Sequence, residues 1–386
     1  MTQIEPYRVN IPQADLDELH DRLARTRLPG TLPDDGWRRG VPLEYLRSLL
    51  QYWRQRFDWR AQEATLNEFD QFTTTIDGQR IHFMHVRSPE PDALPLLITH
   101  GYPGSVAEFT QILGPLTDPR ARGGDPADAF SVVAPSLPGF AFSTPLSGKG
   151  WEVARTSRAW IELMRRLGYT RYGAQGGDIG AGVAGMVGGL DRNRVVGVHI
   201  NSDLLGAASM AGEYMPVDLD ALTAEEQAHL TELKQPLAEG KGYLQLQSTR
   251  PYTVAYGLTD SPAGQLAWIV EKFKEWTSPA VELPEQAVDL DQLLTNVSLY
   301  WFTGAAPTAA NFLYEAAHSY DWGDGSVAAQ QGWAVFGGRD PLMRKLFDPN
   351  GGIGHWSEFD EGGHFPAMEV PQLLVADVQD FFRPLR

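Results

Sequence analysis

A chain of 386 residues, 42% of them hydrophobic, can bury one large core and still carry an inserted or appended subdomain. Its formal charge of −17 argues against nucleic acid or an anionic membrane surface as partner, since both call for clustered Lys and Arg. With no cysteine, it has no disulfides, thiolate metal sites or thiol nucleophiles.

The start, Met1 to Pro6, lacks a basic region followed by an apolar run, and nowhere do about 18 apolar residues follow one another. The expectation is a cytoplasmic protein without a membrane anchor. Residues from about 8 to 70 carry helix signals, with Leu16, Leu19 and Leu23 on one face and Tyr45, Leu46, Leu49, Leu50 and Trp53 on another. This arm is expected to pack on the core through the segment Trp53 to Trp59.

From Phe72 to Val86 two short strands flank Asp77-Gly78, a hairpin dipeptide. Leu94 to Thr99 is a continuous apolar run of the kind a buried parallel strand has, and it ends in His100-Gly101-Tyr102-Pro103-Gly104-Ser105. His100 precedes a glycine turn and is read as a brace for that loop. Ser131 to Pro135 is a further buried strand, and Val153, Trp160, Leu163, Met164 and Leu167 mark an amphipathic helix after it.

Next comes Tyr172-Gly173-Ala174-Gln175-Gly176-Gly177-Asp178-Ile179-Gly180, read as strand, tight turn and helix. Glycines two residues either side of a central residue form the nucleophile elbow of an α/β-hydrolase, and the central residue here is Asp178. A serine there would attack carbonyls, whereas a carboxylate attacks a saturated carbon and leaves an ester of itself. The helix N-terminus favours its ionised form, so it needs no activating base. An elbow of this kind also implies an oxyanion hole made of backbone N–H groups, here those of Tyr102 and Ile179.

Val195 to Ile200 is another buried strand, after which the alternation stops for about 130 residues of helical pattern. An insertion of that size suits a helical cap over the C-terminal edge of the sheet. The strand Trp333 to Phe336 then leads to Asp340, and a strand around Ser357 to Phe359 leads to Gly362-Gly363-His364-Phe365. The order nucleophile, acid, histidine is the order of this fold, so Asp340 is read as the acid and His364 as the general base.

The expected architecture is therefore an α/β-hydrolase core with a mostly parallel sheet. Residues 1–70 form the N-terminal arm, 71–203 the first part of the core, 204–330 the helical cap and 331–386 the second part of the core. These landmarks resemble the microsomal type of epoxide hydrolase over nearly the whole chain. The resemblance rests on Tyr52-Trp53, Phe57-Asp58-Trp59-Arg60, His100 to Ser105, Gly176 to Gly180, Thr259-Asp260-Ser261-Pro262, Tyr300-Trp301 and Gly362 to Phe365.

The resemblance implies that an epoxide opens to a vicinal diol through an ester on Asp178, with His364 activating water and Asp340 orienting it. Many relatives carry Glu at the acid position, with different spacing. Two cap tyrosines of that family donate to the epoxide oxygen. Gly242-Tyr243-Leu244-Gln245 carries the first, Tyr243. By count from Tyr300-Trp301 the second falls on Leu313, so either the helix is shifted and Tyr314 serves or one donor is lost. Ile179 and Tyr102 stand where many relatives have tryptophan.

The expected partners are a small-molecule epoxide and water, with no cofactor and no metal; a homo-oligomer is compatible with the sequence. Trp268, Tyr252, Tyr256, Trp301 and Phe302 in the cap point to a bulky apolar epoxide, including one on a natural product. Two rival readings are a haloalkane-type dehalogenase, which would share the Asp elbow but need N–H donors for a halide, and a ligand-binding homologue without catalysis.

Overall fold

The computed structural model describes residues 3–30, 36–212, 217–319 and 330–386. Nine strands form one sheet: β1 Glu5–Tyr7, β2 Gln71–Ile76, β3 Gln79–Val86, β4 Leu94–Thr99, β5 Phe130–Pro135, β6 Tyr172–Gly177, β7 Val195–Asp203, β8 Gln330–Phe336 and β9 His355–Glu358. Their spatial order is β1-β2-β3-β5-β4-β6-β7-β8-β9. The first three strands and the β3–β5 pair are antiparallel, and from β5 to β9 every pairing is parallel.

Asp77 and Gly78, at φ +51° and +74°, make the two-residue turn whose twist matches the β2–β3 hairpin. Strand β1 had no signal in the sequence, being only three residues long with the poor strand formers Glu5 and Pro6 in it, and it hydrogen-bonds to the edge at β2.

The helices are α1 Gln13–Ala24, α2 Leu43–Gln55, α3 Trp59–Leu66, α4 Thr110–Thr117, α5 Val153–Arg166, α6 Ile179–Leu190, α7 Leu204–Met210 and α8 Ala224–Lys234. They continue with α9 Gly242–Thr249, α10 Pro251–Asp260, α11 Pro262–Trp276, α12 Leu290–Thr303, α13 Ala306–His318, α14 Pro341–Phe347, α15 Pro366–Glu369 and α16 Pro371–Phe382. Because strand side chains alternate between faces, the parallel strands feed two separate cores.

Leu96, Ile98, Val132 and Ala134 pack with Ile112 and Leu116 of α4 and with Val378 and Phe382 of α16. Leu97, Val133, Ala174 and Val198 pack on the other face with Trp160 and Leu163 of α5 and Val183 and Val187 of α6. Both sheet faces are thus dry, and the chemistry is left to the loops at the C-terminal ends of the strands.

Helices α7 to α13 fill the interval between β7 and β8. The arm lies against them as well as on the sheet, a broader contact than the core packing read from the sequence. The Tyr52 hydroxyl donates to Asp291 (3.0 Å), the Trp53 indole N–H to Ser298 (3.1 Å), and Tyr45 bonds Glu285. The rings of Trp59 and Phe302 meet edge to face at 4.9 Å. Among the described residues no helix is long and apolar enough to cross a membrane.

Candidate active site

The turn from β6 into α6 is made by Asp178 at φ +53° and ψ −126°, a conformation rare outside glycine. Two glycines permit it. A Cβ at Gly176 would stand 2.3 Å from the Gly180 carbonyl oxygen, and one at Gly180 would stand 1.9 Å from that of Thr99. The strain lifts the Asp178 carboxylate off the sheet and aims it into the site.

One oxygen, Oδ1, accepts the backbone N–H of Tyr102 at 2.8 Å, and the Ile179 N–H also bonds the carboxylate. The other, Oδ2, lies 3.5 Å from Nε2 of His364. Burial alone would raise the Asp178 pKa. The His364 hydrogen bond and charge, with the two backbone donors, outweigh burial and hold it below the ordinary carboxylate value.

His364 sits in the loop after β9. Its backbone N–H donates to the Trp276 carbonyl (2.8 Å), and the Trp276 ring lies 5.0 Å from the imidazole. Desolvation would lower its pKa, yet hydrogen bonds to Asp178 and Asp203 and the charges of both carboxylates push it up to about 10. At neutral pH it is an imidazolium between two carboxylates.

The second of those carboxylates is Asp203, and this corrects the sequence-based expectation for Asp340. His364 Nδ1 donates to Asp203 Oδ2 at 2.9 Å. Asp203 ends β7 and caps α7, Oδ1 accepting from the Gly206 N–H at 2.5 Å. Asp340 is committed elsewhere, with Oδ1 on the Leu342 N–H (2.9 Å) and Oδ2 on His229 Nε2 of the cap (2.6 Å).

The reason is local. Pro341 begins α14 at once, which turns Asp340 into its N-cap. Strand register sets Asp203 opposite Phe336, so it is Asp203 that stands at the level where the parallel strands end. Both aspartates follow buried strands in the sequence, and no spacing rule ranks one above the other.

His100 is fully buried, its pKa pushed down to about 4 by desolvation. It donates from Nδ1 to the Gly101 carbonyl (3.0 Å) and accepts the Leu137 N–H at Nε2 (3.1 Å). A neutral ring of that tautomer braces the loop and has no proton to exchange with the site.

Between core and cap lies a cavity of about 410 Å³, lined by Asp178 and His364 and by apolar side chains including Ile179, Met210, Leu237, Leu313 and Trp333. Tyr243 of α9 also lines it, its ring parallel to that of Tyr102 at 5.8 Å. The Tyr102 hydroxyl is held by the Gln247 amide (2.9 Å) and the Trp268 indole (2.6 Å), both donating to it.

Tyr314 is not among the lining residues. Leu313 faces the cavity, and one residue on, about 100° round the helix, Tyr314 stacks on His318 at 4.1 Å. The helix thus turns Leu313, and not Tyr314, to the cavity wall. Nor do the five aromatics named for the pocket line it; Tyr252 and Tyr256 are exposed, at 58% and 77%.

Behind Asp178 lies a smaller cavity of about 20 Å³, lined by His364, Asn201 and Glu108 among others, which is room for one water. Desolvation pushes the Glu108 carboxyl up to about 8. Sequence reading passed over Glu108; one turn beyond the loop after β4, it carries no motif. Among the described residues no cluster of three or more His, Asp or Glu is placed to hold a metal ion.

Comparison with known proteins adds a lineage to this geometry. A family profile described as epoxide hydrolase N terminus matches residues 4–109, and one described as alpha/beta hydrolase fold matches residues 95–228. A chain of Stigmatella aurantiaca (strain DW4/3-1) that carries a provisional epoxide hydrolase name is 44% identical, covering 99% of this chain and 86% of that one. Epoxide hydrolase 1 of Sus scrofa is 34% identical over 98% of this chain and 88% of its own. The crystal structure of juvenile hormone epoxide hydrolase from the silkworm Bombyx mori superposes with a TM-score of 0.83 at 29% identity, covering 100% of this chain and 95% of that one.

Proposed function

The chain belongs to the epoxide hydrolase family, and from that premise we propose that it opens a neutral, largely apolar epoxide to a vicinal diol through an ester on Asp178. One observation carries this reading: a carboxylate held by two backbone N–H groups and facing His364, with the Tyr243 ring lining the same apolar cavity.

At rest Asp178 is ionised and His364 protonated. Asp178 Oδ2 attacks one epoxide carbon from behind, the C–O bond breaks with its electron pair going to the epoxide oxygen, and Tyr243 supplies that oxygen with a proton. Esterification removes the negative charge beside His364, so the imidazolium loses its main support and returns a proton to the Tyr243 phenolate. The base is freed only once there is an ester to hydrolyse.

His364, steadied by Asp203, then takes a proton from water, and the hydroxide adds to the ester carbonyl carbon. Its oxyanion forms at Oδ1, already on the Tyr102 N–H, with the Ile179 N–H bonded to the same carboxylate, and stabilisation of such an anion is worth roughly 3 kcal/mol per donor. Collapse breaks the bond between Cγ and Oδ2, which leaves on the substrate carbon and takes the hydroxyl proton, so the water oxygen stays in the Asp178 carboxylate. The diol leaves with Asp178 ionised and His364 protonated again. The small cavity beside Glu108 is where we expect the water to wait.

Substrate selection follows from the walls. The cavity is mainly apolar, which favours an uncharged epoxide with hydrocarbon substituents. One turnover in oxygen-labelled water should leave label in the Asp178 carboxylate before the product, and Asp178→Ala should form no diol from an aryl epoxide. Turnover by that variant would end the covalent route. The dehalogenase reading needs halide release from haloalkanes, and no such release is expected.

A further inference from the structure

We infer that Lys272, a residue of α11 with no contact to the reacting atoms, is a positioning residue that tunes Tyr243 as proton donor; the inference rests on the role proposed above for Tyr243. Lys272 is 1% exposed, an unusual place for an ammonium. It ion-pairs with Glu275 (2.6 Å) and Glu271 (2.9 Å) and donates to the carbonyl of Gly240 (3.0 Å). The cation also lies 5.0 Å from the centre of the Tyr243 ring and 5.7 Å from that of Trp276.

A buried ion pair is weak evidence for stability, because desolvating two charges costs about what their attraction returns. Here desolvation is also felt by Glu275, whose pKa is raised. What distinguishes the site is where the cation sits. Its bond to Gly240 anchors the chain three residues before Tyr243, and its charge acts on the face of the ring that must carry negative charge as the hydroxyl gives up its proton.

Within about 6 Å of a ring, a cation is attracted by the aromatic quadrupole, and it stabilises a phenolate more than a phenol. Of the other charged groups, Lys241 lines the same cavity, its ammonium held on the Ser209 carbonyl (2.8 Å). Glu271 and Glu275 oppose the Lys272 charge, and Asp178 is neutralised by ester formation at the same moment. Lys272 thereby favours the transition state of ring opening over the ground state, which is the condition for raising the rate of that step.

The test is a double-mutant cycle read by quenched-flow mass spectrometry of the Asp178 ester, using styrene oxide. Lys272→Met is expected to slow ester formation roughly three- to thirtyfold and to leave hydrolysis of the ester unchanged. In the Tyr243→Phe background it should cost nothing more. Should Lys272→Met fail to fold, Lys272→Met combined with Glu275→Leu removes both buried charges, and the same pattern is expected.

An equal loss in both backgrounds, or a loss in hydrolysis instead, overturns the inference. If Tyr243→Phe itself leaves ester formation unchanged, the role of Tyr243 fails first. Loss in the Tyr243 enzyme alone supports both.

Discussion

At the scale of single residues, the site works by letting one charge decide another. The pKa of His364 is pushed up to about 10 from the unfolded value of 6.5, and that of Asp178 is lowered. The imidazolium therefore stabilises the fold fully below about pH 6.5, and this stability is lost as pH rises toward about 10. Asp178 adds stability above the unfolded carboxylate range that is lost on acidification. Thermal unfolding from neutral to alkaline pH should show a falling midpoint in the native protein and a flatter profile in His364→Gln. The exchange of Asp340 for Asp203 is tested by the same chemistry. Asp203→Asn should slow ester hydrolysis roughly 10²- to 10⁴-fold, as losing the partner of a catalytic histidine does elsewhere. Asp340→Asn should change that step by no more than about threefold, since among the described residues its carboxylate bonds only His229 and α14.

Secondary-structure elements fix what these residues can reach. The elbow closes only because Gly176 and Gly180 admit contacts closer than any Cβ allows. Gly180→Ala should cost several kcal/mol, a large share of a typical folding free energy, seen as a lower melting temperature or loss of folded protein. Helix α13 decides which of two neighbours faces the cavity, and it turns Leu313 inward. Tyr314→Phe should leave diol formation within about twofold, as a change away from the cavity does. Helix α12 presses on the loop after β4, with Asn296 donating to the Pro103 carbonyl (2.7 Å) and the Tyr300 hydroxyl to that of Gly104 (3.1 Å). The cap thus holds the loop that carries the Tyr102 N–H.

Across the whole molecule, arm, cap and sheet share one interior. Leu19, Leu23, Leu46, Leu49 and Trp53 of the arm belong to the same buried cluster as Ile269, Phe273 and Val297 of the cap and Trp160 of the core. Each buried aliphatic or aromatic side chain contributes roughly 1.5–3 kcal/mol when removed from water. Expression from residue 71 onward should therefore give aggregated protein rather than an active core, as sedimentation of the lysate would reveal. The cap is tied to the loop after β8 and to α14 through His229 with Asp340 and Lys345 with Glu226 (2.6 Å).

The amino-acid sequence by itself determined what is local: the hairpin at Asp77-Gly78, the apolar parallel strands, the elbow around Asp178, the glycine loop of His364 and the inserted helices. Each is written in neighbouring residues, because turn chemistry and strand periodicity act over a few positions. Membership of the family was likewise legible, since its motifs are short and contiguous. What only tertiary structure decided is which side chains from distant segments converge. Asp203 and Asp340 look alike along the chain; strand register and a proline at the start of α14 separate them. Leu313 and Tyr314 differ by one step of helix rotation, and Lys272 meets Tyr243 only because two cap helices pack together. Convergence of that kind depends on distances through space, which a linear pattern does not encode.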